Sequence, residues 1–291
     1  MSYVLDRLET QGIEFVEESI QAISLKAYFS PDSETACLCR QLQESWKELH
    51  LPAADLRIVS IEGIEPRNWV GEWHSQYRPI RIGKRFLIVP SWHRGTLPPE
   101  LLTIRMDPQN AFGSGTHAST RLCLLGIEEY YRSAMRAVDV GTGSGILAIA
   151  MARLDQQVRP PAESERLIWA IDSDPEAIAT ARKNARRNRV SSLIRFRAVP
   201  AESFRYSNYA FLTANLTAGD LIDQAAGLMA SCGPGALLLL SGLQLGDAAE
   251  VRRAYQKHGC RLLKTRTQEG WALLVLRKPI TPPGDVCNPG L

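Results

Sequence analysis

Three glycines alternate with small polar residues in Asp139-Val-Gly-Thr-Gly-Ser-Gly145, directly after Ala137-Val138 and before Ile146-Leu-Ala-Ile-Ala150. The run predicts a β-strand that turns into a helix on residues without side chains. Such a turn lets main chain approach a ligand to contact distance and aims the free N–H groups of a helix N-terminus at it. The chemistry expected of Gly141, Gly143 and Gly145 is therefore the grip on a nucleotide-like molecule. Further on, Leu167-Ile-Trp-Ala-Ile-Asp172 reads as the next parallel strand, ending in a carboxylate placed to accept from both hydroxyls of a ribose. The structural alternative makes the glycines a tight turn and Asp172 the N-cap of a helix over residues 175–188. The glycine-to-acid interval exceeds the usual value of about 20 residues. Residues 155–166, polar and carrying Pro160-Pro161, account for the excess as a surface loop insertion.

Two ligands compete for the glycine turn. Gly143-Ser-Gly-Ile-Leu-Ala148 satisfies the dinucleotide pattern G-x-G-x-x-G/A, which leaves a nicotinamide-dependent oxidoreductase open. Counted from Gly141, G-x-G-x-G with Asp139 two positions earlier resembles motif I of the class I S-adenosylmethionine-dependent methyltransferases. Methyl transfer from a sulfonium releases a neutral thioether, so positioning does most of the catalysis. An amine acceptor has to attack as the free base, whereas a lysine with a pKa of about 10.4 is mostly protonated at neutral pH. The site must then exclude water and offer acceptors to the remaining N–H groups. Asn215 closes the strand candidate Tyr209-Ala-Phe-Leu-Thr-Ala-Asn215, where ligands meet open parallel sheets, and its side-chain carbonyl is the expected acceptor. Capping of the following helix is its structural alternative. Asn215-Leu-Thr-Ala218 lacks the Pro-Pro-aromatic run that stacks on planar acceptors, so a flexible alkyl amine fits better.

The elements that must hold these residues follow from periodicity. From about residue 98 the order strand, helix, strand, helix predicts a parallel sheet covered on both faces. Residues 209–215 and 235–242 are apolar enough to be strands buried on both faces. Residues 247–258 read as a helix, and residues 261–267 and 271–277, around Gln268-Glu-Gly270, as a hairpin. Ahead of the sheet, residues 3–12 and 33–49 read as helices, and residues 22–29 and 56–61 as strands. Trp69-Val-Gly-Glu-Trp73 reads as a connecting helix and residues 78–92 as a strand pair. The hydroxyls of Thr116, Ser119 and Thr120 are candidate caps for a helix over residues 121–131. The predicted fold is α/β: a class I methyltransferase-like doubly wound sheet with a C-terminal antiparallel hairpin, plus a small N-terminal α+β domain.

Composition sets the outer bounds. A chain of 291 residues that is 45% hydrophobic can build two domains with real cores. No apolar run reaches the roughly 18 residues of a membrane span, and Met-Ser-Tyr-Val-Leu-Asp lacks a signal peptide's basic and apolar regions, so a cytoplasmic, non-membrane protein is expected. The six cysteines show no C-x-x-C pair and no histidine at ligand spacing; reduced thiols and no metal site are expected. Residues 1–55 hold four Lys/Arg against ten Asp/Glu, and the remainder thirty against twenty-one, balances of −6 and +9. The acidic part suits a basic protein partner or simple solubility.

A longer set of residues carries a specific likeness. Asp107-Pro, Ala111-Phe-Gly-Ser-Gly-Thr-His117, the glycine motif through Ala150, Asp172-Ser-Asp-Pro175 and Ala214-Asn-Leu-Thr-Ala218 occur in order. Tyr77-Arg-Pro-Ile-Arg-Ile-Gly-Lys84 and Val89-Pro-Ser-Trp-His93 precede them. Over roughly residues 66–278 the chain resembles the PrmA family, the methyltransferases of large-subunit ribosomal protein eleven. The resemblance implies that Thr120, Gly141, Gly143, Asp172 and Asn215 contact S-adenosyl-L-methionine, with Phe112, Thr116 and His117 in the loop over it and Asn215 at the reacting amine. It also implies methylation of the α-amino group and lysine side chains of ribosomal protein eleven, free or on the ribosome, by a monomer without a direct nucleic-acid role. The expected domains are residues 1–62 for substrate recognition, a linker helix and strand pair at 63–97, the methyltransferase domain at 98–278, and a disordered tail at 279–291. The late start relative to the family's first strand predicts a shortened or differently built N-terminal domain. Ala118 in place of a common Pro, and Gln268-Glu-Gly-Trp271 in place of an acidic-Trp ending, are further departures. Other protein or small-molecule amines, and a non-catalytic ribosome-binding factor, remain as alternative readings.

Overall fold

The computed structural model describes residues 12–18, 23–28, 35–48, 78–106, 115, 117–158, 167–203 and 207–280. The chain divides into two compact units, Met1–Glu72 and Trp73–Leu291. In the first, β1 (Gly12–Glu18) and β2 (Ile23–Tyr28) form an antiparallel ribbon, and α1 (Thr35–Glu48) follows. The ribbon's second strand and the helix agree with the sequence pattern. β1 was not expected, although Ile13, Glu14 and Phe15 alternate with the period of two that marks a strand. Gly12 opens β1 rather than closing a helix; the remainder of that expected helix, the strand near 56–61 and the segment 69–73 lie outside the described residues.

The second unit holds two sheets. β3 (Ile80–Ile82) and β4 (Phe86–Pro90) pair antiparallel, as expected, and β5 (Leu102–Met106) joins β4 in parallel. The strand at the head of the expected alternating series thus belongs to a separate three-stranded sheet. Its edge is closed by Asn188, whose Oδ1 accepts from Arg105 N at 2.7 Å and whose Nδ2 donates to Arg105 O at 2.8 Å, as a neighbouring strand would.

The seven-stranded sheet alternates with helices: α2 (Ala118–Tyr130), β6 (Ala137–Val140), α3 (Ile146–Val158), β7 (Ile168–Asp172), α4 (Pro175–Arg187), β8 (Ile194–Ala198) and β9 (Tyr209–Asn215). Then come α5 (Ala218–Asp223), α6 (Ala225–Ser231), β10 (Cys232–Gln244), α7 (Ala248–Gln256), β11 (Arg261–Gln268) and β12 (Trp271–Arg277). Their spatial order is β8-β7-β6-β9-β10-β12-β11, parallel except for β12, which is antiparallel to both neighbours. Alternation along the strands builds two cores. Ala137, Phe211 and Leu239 face α2 and α3, while Val138, Leu212 and Leu238 face α5, α6 and α7. The hairpin turn is the two residues Glu269 and Gly270, at φ +51° and +77°, with Gln268 paired to Trp271. That is the left-handed pair a tight hairpin needs.

Two sequence expectations give way here. α3 runs on to Val158, so residues 155–158 are helical, not a loop insertion. Asp155 is buried there because Tyr131 Oη donates to both its oxygens, at 3.2 and 3.1 Å, and Ala134 N donates at 3.3 Å. The strand expected at residues 235–242, β10, is also longer, beginning at Cys232 and ending at Gln244.

Candidate functional site

The strand order reverses between β6 and β9: the chain leaves β6 for β7 and β8, then crosses back to β9. Ligands of open parallel sheets lie outside the carboxyl ends of strands at such a switch point. Gly141, Asp172 and Asn215 stand at the ends of β6, β7 and β9, which is the edge the sequence pattern assigns to them.

Gly141, Gly143 and Gly145 sit at φ +65°, +52° and +83°, conformations that disfavour side chains. A Cβ on Gly141 would collide with the Leu216 side chain, and one on Gly145 would come within 2.9 Å of Ala181 Cβ. The first glycine lets Leu216 pack against the turn; the third lets α3 and α4 pack closely. Three groups pin the turn from outside it. Thr142 N donates to Ile171 O at 3.0 Å, Gly143 N to Asp172 Oδ2 at 2.9 Å, and Asn184 Nδ2 to Ser144 O at 2.9 Å. Asn184, 1% exposed on α4, was not singled out from sequence; its signal was a polar residue on the helix's apolar face, beside Ala181 and Ala185.

Asp172 is not a helix cap. Asp174 caps α4 by accepting from Glu176 N at 2.8 Å, and Asp172 Oδ1 accepts from Asp174 N at 3.0 Å. An ionised carboxylate offers about four lone-pair positions. Two are filled by Gly143 N and Asp174 N, and each oxygen keeps one for a ligand hydroxyl.

Asn215 is likewise free of the capping role. Thr217 caps α5, its Oγ1 accepting from Asp220 N at 3.2 Å. Asn215 Nδ2 donates to Thr120 Oγ1 at 3.4 Å, while Oδ1 is buried with no hydrogen-bond partner. Opposite it is Gly242, at φ +84°, where a Cβ would approach Oδ1 to 2.9 Å and collide with Leu216 O. A buried acceptor without a donor costs about 1–3 kcal/mol.

Thr120 does not cap α2. His117 does, its Nδ1 accepting from Ser119 N at 3.3 Å and lying 2.8 Å from Ser119 Oγ. Ser119 and Thr120 are already inside the first helical turn, so the expected hydroxyl caps at these two positions are replaced by an imidazole. The His117 ring also packs edge-on against Trp271, with centroids 4.5 Å apart. Arg121 donates to both oxygens of Glu269 in the hairpin turn, at 2.7 and 2.6 Å. Ser241 Oγ donates to Ala272 O at 2.8 Å and to Ser119 O at 3.4 Å. The hairpin thereby fixes the helix start that carries Thr120. Gly115, at φ +86°, lies between Ile88 and Ile146, at the start of α3. Phe112 and Thr116 lie outside the described residues.

Asp139 is 1% exposed beneath the glycine turn, accepting from Thr142 Oγ1 at 2.6 Å and Thr213 Oγ1 at 2.7 Å. Burial pushes its carboxyl up to about 6 and the nearby Asp172 charge adds to this, against bonds from Thr142, Thr213 and Ala148 N. It braces β6 against β9 rather than facing the crevice. Thr213 is a further residue the sequence reading did not flag, because a lone Thr in an apolar strand carries no motif.

A doubly wound sheet with its crevice at a glycine turn, an acid ending the next strand, and an antiparallel hairpin in place of a second dinucleotide-binding half defines a class I methyltransferase fold. Comparison with known proteins agrees. The model of the ribosomal protein L11 methyltransferase (PrmA) family matches residues 4–279. A ribosomal protein L11 methyltransferase of Desulfitobacterium hafniense is 34% identical over 255 residues, 87% of this chain and 78% of its own length. One of Geobacter metallireducens is 33% identical over 278 residues, 92% of this chain and 86% of its own. The crystal structure of a ribosomal protein L11 methylase from Lactobacillus delbrueckii subsp. bulgaricus aligns with a TM-score of 0.62 at 26% identity, over 69% of this chain and 100% of that one. The chain belongs to the ribosomal protein L11 methyltransferase family. The nicotinamide alternative falls with that membership. No helix among the described residues is long and apolar enough to cross a membrane.

Proposed function

We propose that this chain transfers methyl groups from S-adenosyl-L-methionine to the α-amino and lysine ε-amino groups of ribosomal protein L11. Family membership carries the class of reaction, and the named activity of the relatives supports the substrate. The observation that carries the amine chemistry is Asn215 Oδ1, a buried acceptor without a donor at the carboxyl end of β9.

The residues present fit the donor molecule. The glycine turn presents main chain without side chains at Gly141 and Gly143, and Asp172 keeps one acceptor position on each oxygen for the ribose hydroxyls. When bound, S-adenosyl-L-methionine supplies an electrophilic methyl on a sulfonium, whose departure as a thioether needs no protonation. What remains for the protein is orientation and the state of the nucleophile. Asn215 Oδ1 accepts an N–H of the neutral amine and so aims its lone pair away from the amide, toward the methyl. Thr120 Oγ1 holds the amide in place through Nδ2. His117 orders the start of the helix that carries Thr120, and the family likeness assigns Phe112 and Thr116 to the donor as well. Neutral amine is favoured by desolvation of the site. The balance of −6 over residues 1–55 favours encounter with a basic protein substrate.

The test is transfer from methyl-labelled S-adenosyl-L-methionine to free ribosomal protein L11 and to undermethylated ribosomes. Label in the protein, appearing about 10²-fold more slowly with Asn215→Ala, is the expected result. Label confined to RNA, or activity unchanged by the substitution, overturns the proposal.

A further inference from the structure

The edge of the large sheet farthest from the hairpin carries a concentration of positive charge with no part in the chemistry above. From Glu176 to Glu202 the chain contains no acidic residue, but it contains Arg182, Lys183, Arg186, Arg187, Arg189, Arg195 and Arg197. All but Arg187 are exposed. They belong to α4, to the residues just past it, and to β8, the edge strand. Arg182 joins the two groups: its Nη2 donates to Phe196 O at 3.0 Å and its guanidinium lies 5.4 Å from the Phe196 ring centroid. On the sheet's other face Arg195 lies 5.3 Å from the Trp169 ring centroid. The charge therefore wraps round the edge.

Elsewhere on this unit three cations meet carboxylates: Arg121 pairs with Glu269, and Lys264 and Arg266 with Glu129. The six exposed cations at the β8 edge have no carboxylate partner among the described residues. Two structural uses account for part of the set. Arginines on an edge strand discourage pairing with another sheet, which covers Arg195 and Arg197, and a cation in the last turn of α4 suits the helix dipole, which covers Arg186. Neither explains Lys183 or Arg189, or why no counter-charge accompanies them.

We propose that this edge binds the phosphate backbone of structured RNA. The choice of RNA among polyanions rests on the substrate reading above, since a ribosomal protein is met against ribosomal RNA. The surplus of +9 in residues 56–291 is the long-range counterpart of the patch. The edge lies two strands from β6, so RNA held there leaves the crevice above β6 and β9 open to a protein amine. No base-reading groups are required; the contacts are with phosphates and are sensitive to salt.

The experiment measures binding of a fluorescent stem-loop RNA, a DNA duplex of matching sequence and polyglutamate to the full chain across a salt series. The comparison variant is Lys183→Glu/Arg186→Glu/Arg197→Glu, whose positions are exposed and outside the glycine turn and the Asn215 pocket. Each phosphate neutralised contributes about −0.9 to the slope of log affinity against log salt. The wild type should bind the RNA with a slope of about −3 to −5, losing about 10²- to 10³-fold between 50 and 200 mM salt. The triple variant should bind at least about tenfold more weakly, with a slope shallower by about 3. Its affinity for S-adenosylhomocysteine and its methylation of free ribosomal protein L11 should match the wild type's. No RNA binding at low salt, binding unaffected by the triple substitution, or preference for the DNA or polyglutamate over the RNA overturns the inference. Failure of both proteins to methylate free substrate would instead overturn the proposed function, whatever the RNA result.

Discussion

Asp172→Asn isolates the ribose contact, since it keeps the side chain's size while removing its charge and one of its two acceptor oxygens. In the structure those oxygens accept Gly143 N at 2.9 Å and Asp174 N at 3.0 Å, each retaining a free lone pair. The amide turns an NH₂ toward one of these backbone donors and leaves a single acceptor for two hydroxyls. A hydrogen bond to a charged group is worth about 1.5–3 kcal/mol net, so loss of one predicts a penalty of about 1.5–3 kcal/mol. Calorimetry with S-adenosylhomocysteine should then show the Kd rising about 10- to 150-fold. An analogue lacking both ribose hydroxyls separates this contact from general damage to the glycine turn. It should bind the wild type weakly and the variant equally weakly, to within about 0.5 kcal/mol. If the variant loses the same factor for both ligands, Asp172 only props the turn and the reasoning fails.

The other predictions follow from neighbouring groups. Gly141→Ala forces a side chain into a left-handed conformation against Leu216, at a cost of at least about 1–2 kcal/mol. Thermal melts should show the loss, and Gly141→Ala/Leu216→Ala should recover part of it. Asp139, held at about 6 in the fold against 3.8 when unperturbed, keeps its proton in the native state while the unfolded chain has released it. Its contribution to stability therefore falls as pH rises from about 4 to 6, by up to about 3 kcal/mol. Urea unfolding of Asp139→Asn should lack that component of the pH dependence; identical profiles would rule out the buried proton. Asn215→Ala should lower kcat about 10²-fold through loss of amine orientation, with a smaller change in S-adenosylhomocysteine affinity, measured by single-turnover kinetics alongside calorimetry.

Strands buried on both faces were the most legible part of the fold, because β6, β7 and β9 are mostly apolar runs bounded by glycine, aspartate and asparagine. The hairpin was legible too, since only the Glu269-Gly270 pair supplies the two left-handed residues its turn needs. β8 was not among the expected strands: Ile-Arg-Phe-Arg-Ala alternates correctly but is short and half charged, the pattern of an exposed edge. Asp155 misled for a related reason, since a polar run beside two prolines resembles a loop until Tyr131 supplies a buried donor from another helix. At the site, residues that sit at strand ends could be read in advance because topology puts them there. The cap at His117 is local, on Ser119 N, but uses an imidazole in place of a usual capping side chain, and Asn184 and Thr213 depend on contacts between segments far apart in sequence. No local pattern marks such contacts.

The central claim concerns where the methyl donor sits, and a crystal of this chain grown with S-adenosylhomocysteine tests it most directly. The account predicts ribose hydroxyls on Asp172, main chain of Gly141 and Gly143 against the ligand, and the sulfur directed toward Asn215 and Thr120. Density for the ligand at any other edge of the sheet, or an adenosine whose ribose makes no contact with Asp172, would contradict it.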